Sequence, residues 1–213
     1  MSRCFVRTVA LGAALALATA FAPYAAVAQT STERIELPER LQPATRAEVA
    51  RLADSLRASG LPWEPLYAKS AEGVLKGADD ARILRAVRSL ARELSAARSA
   101  LGPSATSAEI VAGASALHAG VPSGDLRRLA SSRALRSGAS PLAVPLTVLA
   151  DLVARRVPPG VATASVEALL SRGAPDEQFA VLRADVQRDI LSGATPEAAA
   201  RRRALIQSSG PPE

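Results

Sequence analysis

The sequence predicts an all-α fold, built as an array of short antiparallel helices. Three observations predict it. Alanine and leucine dominate the apolar residues while aromatics make up only 3% of the chain, a balance that favours helix over strand. No segment sustains the alternation of a half-buried strand. A recurring punctuation then divides the chain: Gly60-Leu61-Pro62, Gly77-Ala78-Asp79, Gly102-Pro103, Gly120-Val121-Pro122, Gly138 to Pro141, Gly173-Ala174-Pro175 and Gly193 to Pro196. Glycine just past a helix end takes the left-handed conformation without a Cβ clash, and proline or an acid suits the first turn of the next helix.

Most of these marks lie 17 to 20 residues apart, the length of one helix and one turn. From Gly138 a step of 18 reaches Arg156, which opens a Val157-Pro158-Pro159 turn without a glycine. The step from Gly77 to Gly102 is the exception, at 25. Two periods make a helical hairpin of the size used by α-solenoids, so about eight or nine helices are expected, stacked as repeats or gathered into a multi-helix bundle.

The first 28 residues have the pattern of a secretory signal peptide. Arg3 and Arg7 form a basic start, Val9 to Ala22 an apolar run, and Ala26-Val27-Ala28 a small-residue cleavage site. The apolar run is short for a membrane span; an uncleaved anchor is the alternative. Cys4, the one cysteine, lies in this segment, so the mature chain is expected to have no disulfide. Residues 29–44 are polar with Pro38 and Pro43 and read as a mobile lead. A single helical domain is expected over 45–207, followed by a disordered tail at 208–213.

Within the domain, Thr45 and Glu48 have the spacing of a capping box that would open the first helix. Trp63 and Tyr67 follow, four residues apart on one helical face. They are candidates for partner contact, or else fill a core otherwise built from small aliphatics. Asp79 or Asp80 should cap the longest helix, running to about Leu101, with Ile83, Leu84, Val87, Leu90, Ala91, Leu94 and Ala97 as its apolar stripe. Off that stripe lie Arg82, Arg85, Arg88, Arg92 and Arg98, against Glu93 alone in the helix interior. Arg82, Arg85, Arg88 and Arg92 are the candidate contacts for an anionic surface; a solvated face is the plainer reading.

Thr106 and Glu109 form a second capping box, and its helix ends near His118, the only histidine. Four basic residues surround the apolar side of the next segment, Ser123 to Arg136. Pro145 falls within the most apolar segment after the leader, so that helix begins late or is kinked. It should be central to the core, with neighbours carrying Val161 to Leu170 and Phe179 to Leu191. Arg201-Arg202-Arg203 reads as a helix end suited to the dipole.

The formal charge is +6; without Arg3 and Arg7 the balance is 24 basic to 20 acidic, or +4. The basic residues are nearly all arginine, with Lys69 and Lys76 the only lysines. No nucleophile elbow, zinc-protease helix or phosphate loop is present. A metal site would have one histidine and no mature cysteine to work with. No family resemblance emerges, and no enzyme activity, cofactor or metal is expected. The expected function is that of an exported, non-enzymatic interaction or scaffold module that binds a protein of the cell envelope. The alternative is a binder of anionic lipid or polysaccharide through the arginine face. Nucleic acid is not expected, since no aromatic interleaves with the arginines.

Overall fold

The computed structural model describes residues 36–134 and 141–208. Among these it contains nine helices and no strand: α1 (Pro43–Ala58), α2 (Glu64–Leu75), α3 (Asp80–Leu101), α4 (Ser107–Ala119), α5 (Ser123–Ala134), α6 (Ala143–Ala154), α7 (Pro159–Ser171), α8 (Asp176–Leu191) and α9 (Pro196–Ser208). The fold is all-α. The signal peptide, the lead before residue 36, the Gly138 turn and the tail from 209 lie outside the described residues. No described helix is long and apolar enough to cross a membrane.

Six of the helix ends close in the same way. At the end of α1 the Gly60 N–H bonds the Arg57 carbonyl, and the Leu61 N–H reaches back to that of Leu56 at 2.9 Å. The same pair of bonds, five and three residues back, ends α2, α4, α6, α7 and α8. This Schellman geometry needs a left-handed residue at its corner. Glycine supplies it in five cases; after α6 it is Arg156, at φ 67°. The residue after the corner is always aliphatic (Leu61, Ala78, Val121, Val157, Ala174, Ala194) and turns back against the core. Each repeat thus closes with a hydrophobic plug, and Pro or an acid starts the next helix.

Every principal helix–helix contact joins elements one or two apart in the chain. The helices α1, α3, α5, α7 and α9 touch in succession, as do α4, α6 and α8, and adjacent helices tie the two rows together. That is the neighbour-only order of a stacked array. The apolar α6 lies at its middle, packed on α4, α7 and α8, with Leu146, Leu149 and Leu152 fully buried. The long step between Gly77 and Gly102 is α3, whose 22 residues contact α1, α2, α4 and α5.

Three local expectations are corrected and one open alternative is decided. The helix α1 starts at Pro43, before the supposed capping box: its N-cap is Gln42, Thr45 is buried inside the helix and Glu48 turns to arginines. The end of the segment read as a lead packs on the domain instead, because Leu41 is buried and a turn from Pro38 to Leu41 sets it against the core. Of the two alternatives for α6, the later start is the one found: the helix begins at Ala143, beyond Pro141, so Pro145 falls in the first turn, where no N–H partner is lost. The triplet Arg201 to Arg203 lies within α9 rather than at its end. Arg203 grips Asp189 of α8 through two bonds of 2.6 and 2.8 Å and reaches Asp185 at 3.3 Å.

The second capping box forms as expected and does more than cap. Glu109 is 1% exposed. Its Oε2 accepts from the Thr106 N–H at 2.8 Å, while Oε1 accepts from the Leu142 N–H at 2.7 Å. One carboxylate therefore satisfies backbone donors at the starts of both α4 and α6.

Candidate binding surface

The α3 helix is fixed at both ends. Asp79 Oδ1 accepts from the Arg82 N–H at 2.7 Å, satisfying a first-turn donor. At the other end Arg98 donates to the carbonyls of Gly102, Pro103 and Ala105, at 3.2, 2.7 and 3.3 Å. Its inward stripe of Ile83, Val87, Ala91, Leu94, Ala97 and Leu101 is buried. The opposite side faces solvent and carries the arginines.

Those arginines divide into two kinds. Arg98 is the C-terminal cap just described. Arg88 crosses to α1, where it donates to Glu48 at 3.0 and 3.3 Å. Glu48 also takes two bonds from Arg51, and these with the Arg88 bonds hold its carboxyl down at about 2. Arg82, Arg85 and Arg92 are exposed, and among the described residues their guanidinium groups meet no carboxylate or carbonyl. Elsewhere most arginines on the array are paired: Arg128 with Asp125, Arg183 with Asp151, Arg188 with Asp185, Arg201 with Glu197. The sequence grouped Arg88 with its neighbours; Glu48, forty residues away, separates it from them.

Trp63 and Tyr67 come together as their spacing implies, edge to face at 5.1 Å between ring centroids. Arg57 covers the Trp63 ring at 4.3 Å, and both aromatics pack against the core while remaining partly exposed. The indole face is thus already occupied by a cation, which makes the pair a support for the α1–α2 corner as much as a contact surface.

His118 has an acid nearby that its own sequence neighbourhood does not contain. Its Nδ1 lies 3.0 Å from Glu93 Oε1, and Ser89 Oγ donates to the same oxygen at 3.1 Å. The carboxylate sits between serine and imidazole, so the serine proton is directed at Glu93 and not at the imidazole. A nucleophilic triad needs the imidazole in the middle. What this cluster does is join α3 to α4. No group of three or more His, Cys, Asp or Glu side chains that could hold a metal occurs among the described residues.

A groove of about 700 Å³ runs between α7 and α9. Gly160, Ala164 and Ala168 of α7 line it on one side and Ala204 and the exposed Leu205 of α9 on the other, together with the Glu197–Arg201 ion pair. A scan of protein-family models and searches of curated proteins and of solved structures find no match to this chain.

Proposed function

We propose that this protein is an exported, non-enzymatic binding module of the cell envelope, whose helical array holds the outward face of α3 toward a partner protein. Three guanidinium groups on that face, unpaired among the described residues, carry the reading. Arginine favours planar recognition of carboxylates, and elsewhere on this array most arginines meet one. The clusters of titratable groups that form in the fold serve to join helices: Glu48 to Arg88, Glu93 to His118, Arg203 to Asp189. Export rests on the basic, apolar and small-residue order of residues 1–28.

A second reading draws on the same charge. No large apolar side chain interrupts the outward row from Arg82 to Arg92, so an anionic polysaccharide or lipid surface would be met by electrostatics alone. Both contacts are screened by salt over about 8 Å at physiological ionic strength, so the identity of the molecule retained separates the two. The test is a crosslinking pull-down from native envelopes, eluted in steps of rising salt. A discrete protein that crosslinks and elutes as the salt rises supports the module. Recovery of lipid or polysaccharide alone, lost at moderate salt, replaces it with the second reading.

A further inference from the structure

The outward side of α3 has a register as well as a charge. Its outward row reads Arg82, Arg85, Ser89, Arg92, Ala96, Ser99, separated by 3, 4, 3, 4 and 3 residues, all exposed but for the half-buried Ser89. That is the spacing of a coiled-coil seam, which keeps one face of a helix turned toward a neighbouring helix along its length. The buried side of the same helix, from Ile83 to Leu101, is taken up by the packing of the fold. Between and beyond the arginines the row holds only serine and alanine, small enough to let another helix backbone come close.

We propose that this row is the docking seam for an acidic helix of the partner protein, with Asp or Glu at matching heptad positions facing Arg82, Arg85 and Arg92. The inference rests on the binding-module reading above and names the chemistry of its partner. Charge complementarity selects the occupant: three guanidinium groups without acids among the described residues, on a rigid helix, span about 15 Å along the axis at 1.5 Å per residue. A flat lipid surface is a poorer fit, because a helix lying in a membrane interface buries an apolar face, and the apolar face of α3 is inside the protein. A nucleic acid would find no aromatic on the row to stack against. The seam is also unobstructed by the structural arginines. Arg88 is drawn aside by Glu48, and Arg98 is held by the carbonyls after α3.

The test uses the full chain and two three-heptad peptides of identical composition, labelled for fluorescence anisotropy. One has Glu at every a and d position; the other has its Glu residues distributed around the helix. Phosphatidylglycerol vesicles are the third probe. The expected result is preferential binding of the seam peptide, by about tenfold, and a loss of about tenfold for the chain carrying Arg82→Gln, Arg85→Gln and Arg92→Gln together. Circular dichroism should be unchanged in that variant, because the three side chains hold nothing in the fold. Equal affinity for the two peptides would overturn the seam, as would unchanged binding by the triple variant or binding of vesicles alone. The envelope pull-down repeated with the triple variant separates the two levels of the argument. A protein retained equally by wild type and variant refutes the seam and leaves the module standing; no protein retained by the wild type refutes both.

Discussion

Replacing Arg156 with glycine should stabilise the protein. Arg156 occupies the left-handed corner after α6 at φ 67°, the position that glycine takes at Gly60 with φ 66°. For an L-residue with a Cβ this conformation costs roughly 1–2 kcal/mol. Glycine removes that cost but enters the folded state from a more disordered chain, which takes back about 0.5–1 kcal/mol. At the middle of both ranges the net gain is about 0.75 kcal/mol. For a chain of this size that is a rise of about 1–4 °C in midpoint temperature. Two further variants isolate the cause. Arg156→Ala keeps the Cβ and the backbone cost, so it should stay within about 0.5 kcal/mol of wild type. Gly60→Ala makes the converse change: an added Cβ there has no atom within 4 Å, so its loss of about 1 kcal/mol would be conformational alone. Urea unfolding followed by circular dichroism reads all three. If Arg156→Ala stabilises as much as Arg156→Gly, the gain comes from shedding the side chain and the backbone argument fails.

Two other outcomes follow from buried and bridged carboxylates. Glu109→Gln leaves one of the two backbone donors it serves facing an amide N–H₂, and should cost about 1–3 kcal/mol in urea unfolding; a neutral result would show that water replaces it. The Glu48 carboxyl is held at about 2, below its ordinary 4.5, by Arg51 and Arg88. Its contribution to stability is therefore present above pH 4.5 and lost as pH falls toward 2. Stability measured against pH should be flatter across that window in Glu48→Gln, and an unchanged profile would refute the bridge from α1 to α3.

What could be read from the residues was whatever local chemistry decides. A glycine, an aliphatic residue and a proline in succession specify a Schellman corner and a new helix without reference to the rest of the chain. Even the glycine-free corner at Arg156 was placed by the period. The amphipathic stripe of α3, and with it the outward row of arginines, is likewise a property of one helix. The failures lie where packing chooses among locally acceptable options. Thr45 and Glu48 have capping-box spacing, but burial of Leu41 and the helix-starting Pro43 move the boundary upstream. Which arginines are free depends on Glu48 meeting Arg88, and the setting of His118 depends on Glu93. Asp189 and Arg203 meet through the packing of α9 on α8. Each of these pairs joins residues on different helices, and no spacing within one helix encodes it.

The neighbour-only order of contacts bears on how the chain acquires its structure. Because no principal contact reaches past the second helix along, each hairpin can consolidate once the next one or two helices have been made. Synthesis from the N-terminus would then build the molecule progressively, with little waiting for distant segments. The same property sets how it comes apart. Among the described residues a terminal helix such as α9 packs chiefly on α7 and α8, so its release would leave the principal contacts from α1 to α6 unaltered. Loss of order should thus spread inward from the ends, one helix after another, well before the middle gives way.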